Sequence, residues 1–261
     1  MAVPRLRTIV VTRYVTPLRE GGSLPAIVEA DDEGLYVLKF RAAGQGVKAL
    51  VAELVSGEIA RTLGLPVPEI VLAQLDGDLA RTEPDPEIHA LIYDSAGLNL
   101  ALDFLPGSVS YDPVVHPMDA ALASRIVWFD ALVTNVDRTA RNTNILMWHR
   151  RAWLIDHGAT LYFHHSPGWE LEPDRARRAF PNVREHVLRQ QATMIEAIDA
   201  DCAERLTADA IGGMLSLVPD EWLATAIDGA PPGAVRRAYQ QFLLDRLSAP
   251  RVFVQEALRA R

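Results

Sequence analysis

Asn135-Val-Asp-Arg-Thr-Ala-Arg-Asn-Thr-Asn-Ile-Leu-Met-Trp148 is followed, after a short basic turn, by Ala152-Trp-Leu-Ile-Asp-His-Gly158. Leu146-Met-Trp148 and Trp153-Leu-Ile155 are short β-prone runs separated by His149-Arg-Arg-Ala152, which predicts a hairpin. Asp137 lies on the loop before that hairpin and Asp156 at its exit, so folding brings them together although they are nineteen positions apart. Phosphoryl transfer asks a protein for positioning, for charge neutralisation by metal ions, and for a carboxylate that receives or orients the hydroxyl proton. Asp137 suits the last role. Asn142, five residues later, and Asp156 offer oxygen ligands of the kind Mg²⁺ prefers.

An Asp-Arg pair alone is commonplace, and asparagines after it are ordinary turn formers. The weight comes from what surrounds the stretch. Thr8 to Val15, Ala26 to Ala30 and Leu35 to Phe40 read as strands, punctuated by Gly21-Gly22-Ser23 and by Asp31-Asp-Glu-Gly34, and predict an antiparallel meander. Val47 to Leu63 carries Leu50, Val51, Leu54, Val55, Ile59 and Leu63 at helical spacing and stops at Gly64, with Pro66 and Pro68 beyond. Val67 to Leu75, Asp78 to Ala80 and Asn99 to Leu105 are read as further strands, and Pro84 to Pro86 as a loop or short helix. From Met118 onward helical periodicity dominates. The expected architecture is α+β: an antiparallel-sheet lobe with one helix over residues 1–105, and a helical lobe over 106–261.

Composition narrows the function classes. The chain has 261 residues, 49% of them hydrophobic, and a formal net charge of −8 with scattered basic residues, which disfavours a general nucleic-acid binder. It shows neither a signal-peptide pattern nor an apolar run of transmembrane length, so no membrane association and a cytoplasmic setting are expected. The single cysteine, Cys202, excludes an internal disulfide and fits a reducing compartment. Of the 26 basic Lys and Arg residues only Lys39 and Lys48 are lysine, and Lys39 stands in an otherwise apolar strand.

The ordered set of glycine turn, strand lysine, helix glutamate, Asp-x4-Asn and Leu-Ile-Asp-His-Gly resembles the HipA-like kinase domain, a branch of the protein-kinase-like fold. This segment is also similar to the phosphatidylinositol 3- and 4-kinases. The resemblance implies a two-lobed kinase with ATP and Mg²⁺ in the cleft between lobes. It makes Asp137 the catalytic aspartate, and Asn142 and Asp156 the metal ligands. Asn144 rivals Asn142, because the Asn-Ile-Leu triplet begins there. By the same resemblance Lys39 holds the α- and β-phosphates and Glu53, preferred over Glu58, pairs with it. Gly21, Gly22 and Ser23 cover the phosphates, and Phe104 and Leu105 in Asp103-Phe-Leu-Pro-Gly107 face the base. In HipA-like toxins a serine in the glycine loop is autophosphorylated, so Ser23 is a candidate self-acceptor.

The resemblance further implies an intracellular protein substrate phosphorylated on Ser or Thr. A nucleotide-binding pseudokinase, or a kinase for a small-molecule or lipid hydroxyl, is the alternative. HipA toxins carry a subdomain before the kinase strands and this chain starts almost at them, so docking to an antitoxin-DNA complex of that kind is not expected, and the motifs do not settle whether an antitoxin-like partner exists. His157 replaces the Phe of the usual Asp-Phe-Gly triplet. His164 and His165, read as neighbours on a strand, would point to opposite faces and make a structural pair. Gly44-Gln-Gly-Val-Lys48 lacks the spacing of a Walker A loop and reads as a turn into the helix.

Overall fold

Ile9 and Val11 in Thr8–Pro17 (β1), Ala26, Val28 and Ala30 in Ala26–Ala30 (β2), and Tyr36 and Leu38 in Leu35–Lys39 (β3) are buried at every second position, and each segment forms a strand with one buried face. The structure, a computed structural model, describes residues 5–18, 24–172, 174–224 and 226–260, with Thr82 described by its backbone alone. The glycine turn Gly21, Gly22 and Ser23 therefore lies outside the described residues.

Val47–Thr62 (α1) follows as expected and ends at Gly64, whose positive φ of 75° suits a residue without a Cβ. Every residue from Leu50 to Gly57 on α1 is buried, so this helix is a core element rather than a surface one. Ile70–Leu75 (β4) and Gly97–Asp103 (β5) complete a closed barrel in the order β1-β2-β3-β5-β4. All its pairings are antiparallel except β1 with β4, which run parallel. Ile9, Val11, Val28, Leu38, Val71 and Ala101 belong to the apolar cluster of this part. Strand alternation puts Tyr36 and Leu38 in that cluster and turns Val37 and Lys39 to the other face.

One local reading is corrected. Asp78 to Ala80 is not a strand but part of a 3₁₀ turn, Gly77–Thr82, in which the Asp76 side chain accepts from the Asp78 N–H. Local side-chain bonding wins there because the run is short and has no β-branched residue. The segment opening at Pro84 leads into a second helix, Pro86–Asp94 (α2), capped by Asp85 with Pro86 at its first position.

The rest is mainly helical. Val109–Ser110 (β6), Ile145–Trp148 (β7) and Arg151–Leu154 (β8) form a small antiparallel sheet. His149 and Arg150, both at positive φ, make the tight turn between β7 and β8. Ala120–Leu132 (α3) starts at Asp119, whose carboxylate accepts from the Ala121 and Leu122 N–H groups. Ile195–Arg205 (α4), Ala208–Ser216 (α5), Asp220–Leu223 (α6), Pro232–Leu247 (α7) and Val252–Arg259 (α8) follow. Trp222 on α6 and Tyr239 on α7 are fully buried in one apolar cluster with α1 and α3, so the terminal helices complete a core rather than form a groove. Among the described residues no helix is long and apolar enough to cross a membrane.

Candidate functional site

Lys39 is the last residue of β3 and Glu53 sits on the buried face of α1. Between barrel and helical part, the Lys39 Nζ lies 2.6 Å from Asp156 Oδ1 and 3.7 Å from Glu53 Oε2. Burial disfavours the ammonium, but the Glu53 and Asp156 carboxylates outweigh it and raise the Lys39 pKa. Glu53 is only 2% exposed; burial opposes its ionisation, yet Lys39 and His157 hold it below the usual carboxylate range. Glu58 instead pairs with Arg61 on the same helix, at 3.6 Å, so the preference for Glu53 over Glu58 has a geometric counterpart.

The sequence reading missed one partner: His157 is fully buried, its Nδ1 3.2 Å from Glu53 Oε1 and its ring edge-on to Phe129. The residue in the Phe position is thus a polar brace on the glutamate. Three residues later the chain is tied down again, since Thr160 Oγ1 lies 2.6 Å from Ser56 Oγ of α1 and donates to the His157 C=O at 2.7 Å.

Asp137 lies across the site. Its Oδ2 accepts from Asn142 Nδ2 at 2.7 Å and from Asn144 Nδ2 at 3.1 Å. Because a carboxylate only accepts, each amide turns its nitrogen to Asp137 and keeps Oδ1 for another partner. Burial raises the Asp137 pKa and the charge of Asp156 adds to that, against the Asn144 and Asn142 hydrogen bonds. Asn142 is exposed, whereas Asn144 is buried and its C=O accepts from the Ile155 N–H at 3.1 Å, one residue before Asp156.

A clamp below the loop holds Asp137 in place. Asp130, in the last turn of α3, accepts from Asn135 Nδ2 at 2.7 Å, from Arg138 Nε at 2.7 Å and from His186 Nε2 at 2.8 Å. His186 Nδ1 accepts from the Leu188 N–H at 3.0 Å, which puts the ring proton on Nε2. Asn135 Oδ1 in turn accepts from the Asp137 N–H at 3.0 Å, and Arg138 donates to the Asn144 C=O. The residues on either side of Asp137 are therefore anchored to one buried carboxylate. Sequence reasoning overlooked Asp130, although a charge inside Ile126-Val-Trp-Phe-Asp-Ala-Leu132 was a signal.

Lys39, Asn142, Asn144 and Asp156 line one cleft of about 1340 Å³, and Val37, Leu102, Phe104, Leu105, Leu146 and Ile155 give it apolar walls. The Phe104 N–H is engaged by the Leu35 C=O at 3.0 Å. Trp148 Nε1 donates to the Pro106 C=O at 2.9 Å, which fixes the hairpin against the turn at Pro106-Gly107. Among the described residues no three His, Cys, Asp or Glu side chains gather to hold a metal ion. One carboxylate and two amide oxygens nevertheless fit a hard cation whose remaining ligands are phosphate and water. His164 and His165 correct the expectation of opposite faces: they close the 3₁₀ turn Tyr162–His165, with their Nε2 atoms 3.0 Å apart and His164 Nδ1 2.9 Å from the Tyr239 hydroxyl.

A strand barrel carrying a Lys-Glu pair, packed on helices that carry a clamped Asp-Asn loop and a hairpin-borne aspartate, defines the protein-kinase-like class. The family model of the HipA-like kinases matches residues 11–251, and the chain belongs to that family. The class of reaction is phosphoryl transfer. The Helicobacter pylori proinflammatory kinase CtkA is similar in fold, with 14% identity and a TM-score of 0.56 over 98% of each chain. The Golgi casein kinase, in a structure with Mn/ADP bound, covers 93% of this chain and 73% of its own at 11% identity and a TM-score of 0.48. No curated protein matches the chain.

Proposed function

We propose that this chain uses ATP and Mg²⁺ to phosphorylate a serine or threonine of a protein in the reducing cytoplasm. The observation that carries the reading is that Lys39, Asn142, Asn144 and Asp156 line one cleft, with Glu53 paired to Lys39 and Asp137 bonded to both asparagines just behind that lining. Residues 1–105 would act as the nucleotide-binding lobe and 106–261 as the catalytic lobe. Lys39, oriented by Glu53, would bind the α- and β-phosphates, with the purine between Val37, Leu102 and Ile155 and beside Phe104 and Leu105. Since the Phe104 N–H is engaged, backbone groups next to it would serve the base. Gly21, Gly22 and Ser23 would cover the phosphates.

Asp156 with Asn144 or Asn142 would hold Mg²⁺, which supplies charge neutralisation on the transferring group. Asp137 would orient the acceptor hydroxyl and take its proton as the oxygen forms a bond to the γ-phosphorus. The bond to the β,γ-bridging oxygen breaks, and ADP leaves with that oxygen. Ser23 is a candidate for the same reaction on the enzyme itself.

The test is incubation with γ-labelled ATP and Mg²⁺, alone and with a bacterial lysate. Wild-type protein should label itself or a lysate protein, and Asp137→Ala should lower the rate by about 10²–10⁴-fold, the usual contribution of a positioned base. Equal labelling by the two proteins would refute the reading. Phosphopeptide mapping with and without Ser23→Ala decides self-modification.

A further inference from the structure

A second cavity, of about 400 Å³, lies behind the catalytic loop and has a different chemistry from the nucleotide cleft. Thr134 and Val136, the latter immediately before Asp137, form one wall, and Arg175, Arg178, Asn182 and Arg246 form much of the rest. Among the described residues three guanidinium groups line it and no carboxylate does, in a protein whose net charge is −8.

The three arginines are only partly neutralised by their neighbours. Arg246 is 3% exposed and donates only to carbonyls, those of Leu132, Ala131, Ala176 and Arg178. Among the described residues no carboxylate comes within ion-pair distance of it, and burial pushes its pKa down to about 10. A buried cation held by carbonyls alone keeps its field, because carbonyl dipoles solvate the charge without cancelling it. Arg175 and Arg178 share a single acid, Glu172, at 2.6 and 2.7 Å. Three cations against one carboxylate leave the site positive, and Arg175 Nε is buried without a hydrogen-bond partner.

The cavity also adjoins the segment that carries Asp137, through Thr134 and Val136. The Tyr162 N–H donates to Thr134 Oγ1 at 3.2 Å, joining the segment after Asp156-His-Gly to the residues preceding the base. Tyr162 is largely exposed at the rim and Arg178 has a side chain 62% exposed, so an incoming chain reaches both without rearrangement.

We infer that this cavity is an anion pocket selecting acceptor proteins that carry an acidic side chain, a carboxylate or a phosphate, within a few residues of the hydroxyl to be phosphorylated. The inference rests on the protein-kinase reading above and adds the substrate class to it. Guanidinium forks match both anions bidentately, and one such charge-assisted contact corresponds to roughly a tenfold preference in kcat/KM.

A set of serine peptides with Glu, phosphoserine, Gln or Lys at each position within five residues of the serine tests this, with kcat/KM compared as ratios within each protein. Wild type should favour Glu or phosphoserine over Gln at one defined position, mainly through KM, and the comparison of the two acids tells carboxylate from phosphate. Arg178→Gln should bring that ratio close to one, and Arg178→Glu should invert it toward Lys, an outcome misfolding does not produce. Phosphorylation of all peptides with ratios near one in wild type would overturn the pocket and leave the kinase reading standing. If no peptide is phosphorylated and Asp137→Ala matches wild type in ATP consumption, the kinase reading fails. Binding of a fluorescein-labelled phosphoserine peptide then decides the pocket: saturable binding abolished by Arg178→Glu upholds it, and no binding at millimolar peptide overturns it.

Discussion

Asn142 and Asn144 both give their amide nitrogens to Asp137, so the choice of metal ligand turns on what fixes each residue. Asn142 is exposed on the loop, whereas Asn144 is buried and bonded through its C=O to Arg138 and to the neighbour of Asp156. A rigid ligand loses less entropy on coordination, so Asn144→Ala should raise the Mg²⁺ concentration needed for half-maximal turnover more than Asn142→Ala does. Metal titrations of the two variants at saturating ATP check this. Asp130 gives a second prediction. Burial opposes its ionisation, but Arg138 and His186 bring its pKa to about 2 from an ordinary 3.8. A carboxylate with a depressed folded-state pKa stabilises the fold above its unfolded pKa, and that stability is lost as pH falls through the folded value. Wild type should therefore lose stability between about pH 4 and pH 2, and Asp130→Ala should show a flatter acid limb. The variant should also be less stable at pH 7 by roughly 3–5 kcal/mol, because Arg138 is left buried and unpaired. Urea unfolding across the pH range measures both. The proximity of Asp137, Asn142 and Asp156 could be read from sequence because their spacing is carried by one loop and one hairpin. His186 escaped because it reaches Asp130 from fifty-six positions away with no shared motif, and Asp130 because a lone charge in an apolar helix does not say which loop it holds.

Among the elements, α1 joins the two halves of the site. It carries Glu53 for Lys39, and Ser56 on the same helix meets Thr160 just beyond the Asp156-His-Gly turn. Thr160 also donates to the His157 C=O, so its hydroxyl fixes the exit of β8 onto the helix. Thr160→Val keeps the shape and removes that hydroxyl, which leaves a buried Ser56 short of its partner at a cost of about 1–3 kcal/mol. We expect a lower melting temperature together with a raised KM for ATP and little change in kcat, because Lys39, Glu53 and Asp156 lose their common alignment while Asp137 keeps its clamp. Steady-state kinetics with ATP varied separates this from a general loss of folded protein, which would lower kcat alone. α1 was legible because sixteen residues of apolar periodicity are a long signal. Asp78 to Ala80 was not, since three residues hold no period and the Asp76 side chain decides their conformation. The parallel pairing of β1 with β4 was equally hidden, because a strand's side chains record which face is buried and not which strand lies beside it.

At the scale of the whole molecule, the Lys39 ion cluster is one polar crosslink between the barrel and the helical part, beside the bond from Trp222 Nε1 to the Leu98 C=O. Lys39 comes from β3, Glu53 from α1 and Asp156 from the end of the β7-β8 hairpin. Its members are not equivalent. Asp156→Ala leaves Lys39 paired with Glu53, whereas Lys39→Met strands Glu53, 2% exposed, beside a carboxylate of like charge. Lys39→Met should therefore have the lower melting temperature of the two in ligand-free protein, by more than a surface ion pair would account for. Ligand then reverses the emphasis. Nucleotide with Mg²⁺ at a hundred times its Kd stabilises a folded protein by about 2.7 kcal/mol. For a chain of this size that amounts to roughly 5–10 °C in wild type, since each kcal/mol moves the midpoint by about 2–4 °C. On the proposed assignment of Asp156 to the metal, Asp156→Ala, the better folded of the two variants, should show almost none of this shift. Asp137→Ala should show nearly all of it. Thermal denaturation of the four proteins with ATP, with Mg²⁺ and with both would test the scheme: a full shift in Asp156→Ala would remove the metal from this position, and equal ligand-free midpoints for Lys39→Met and Asp156→Ala would mean that Glu53 is not held by Lys39.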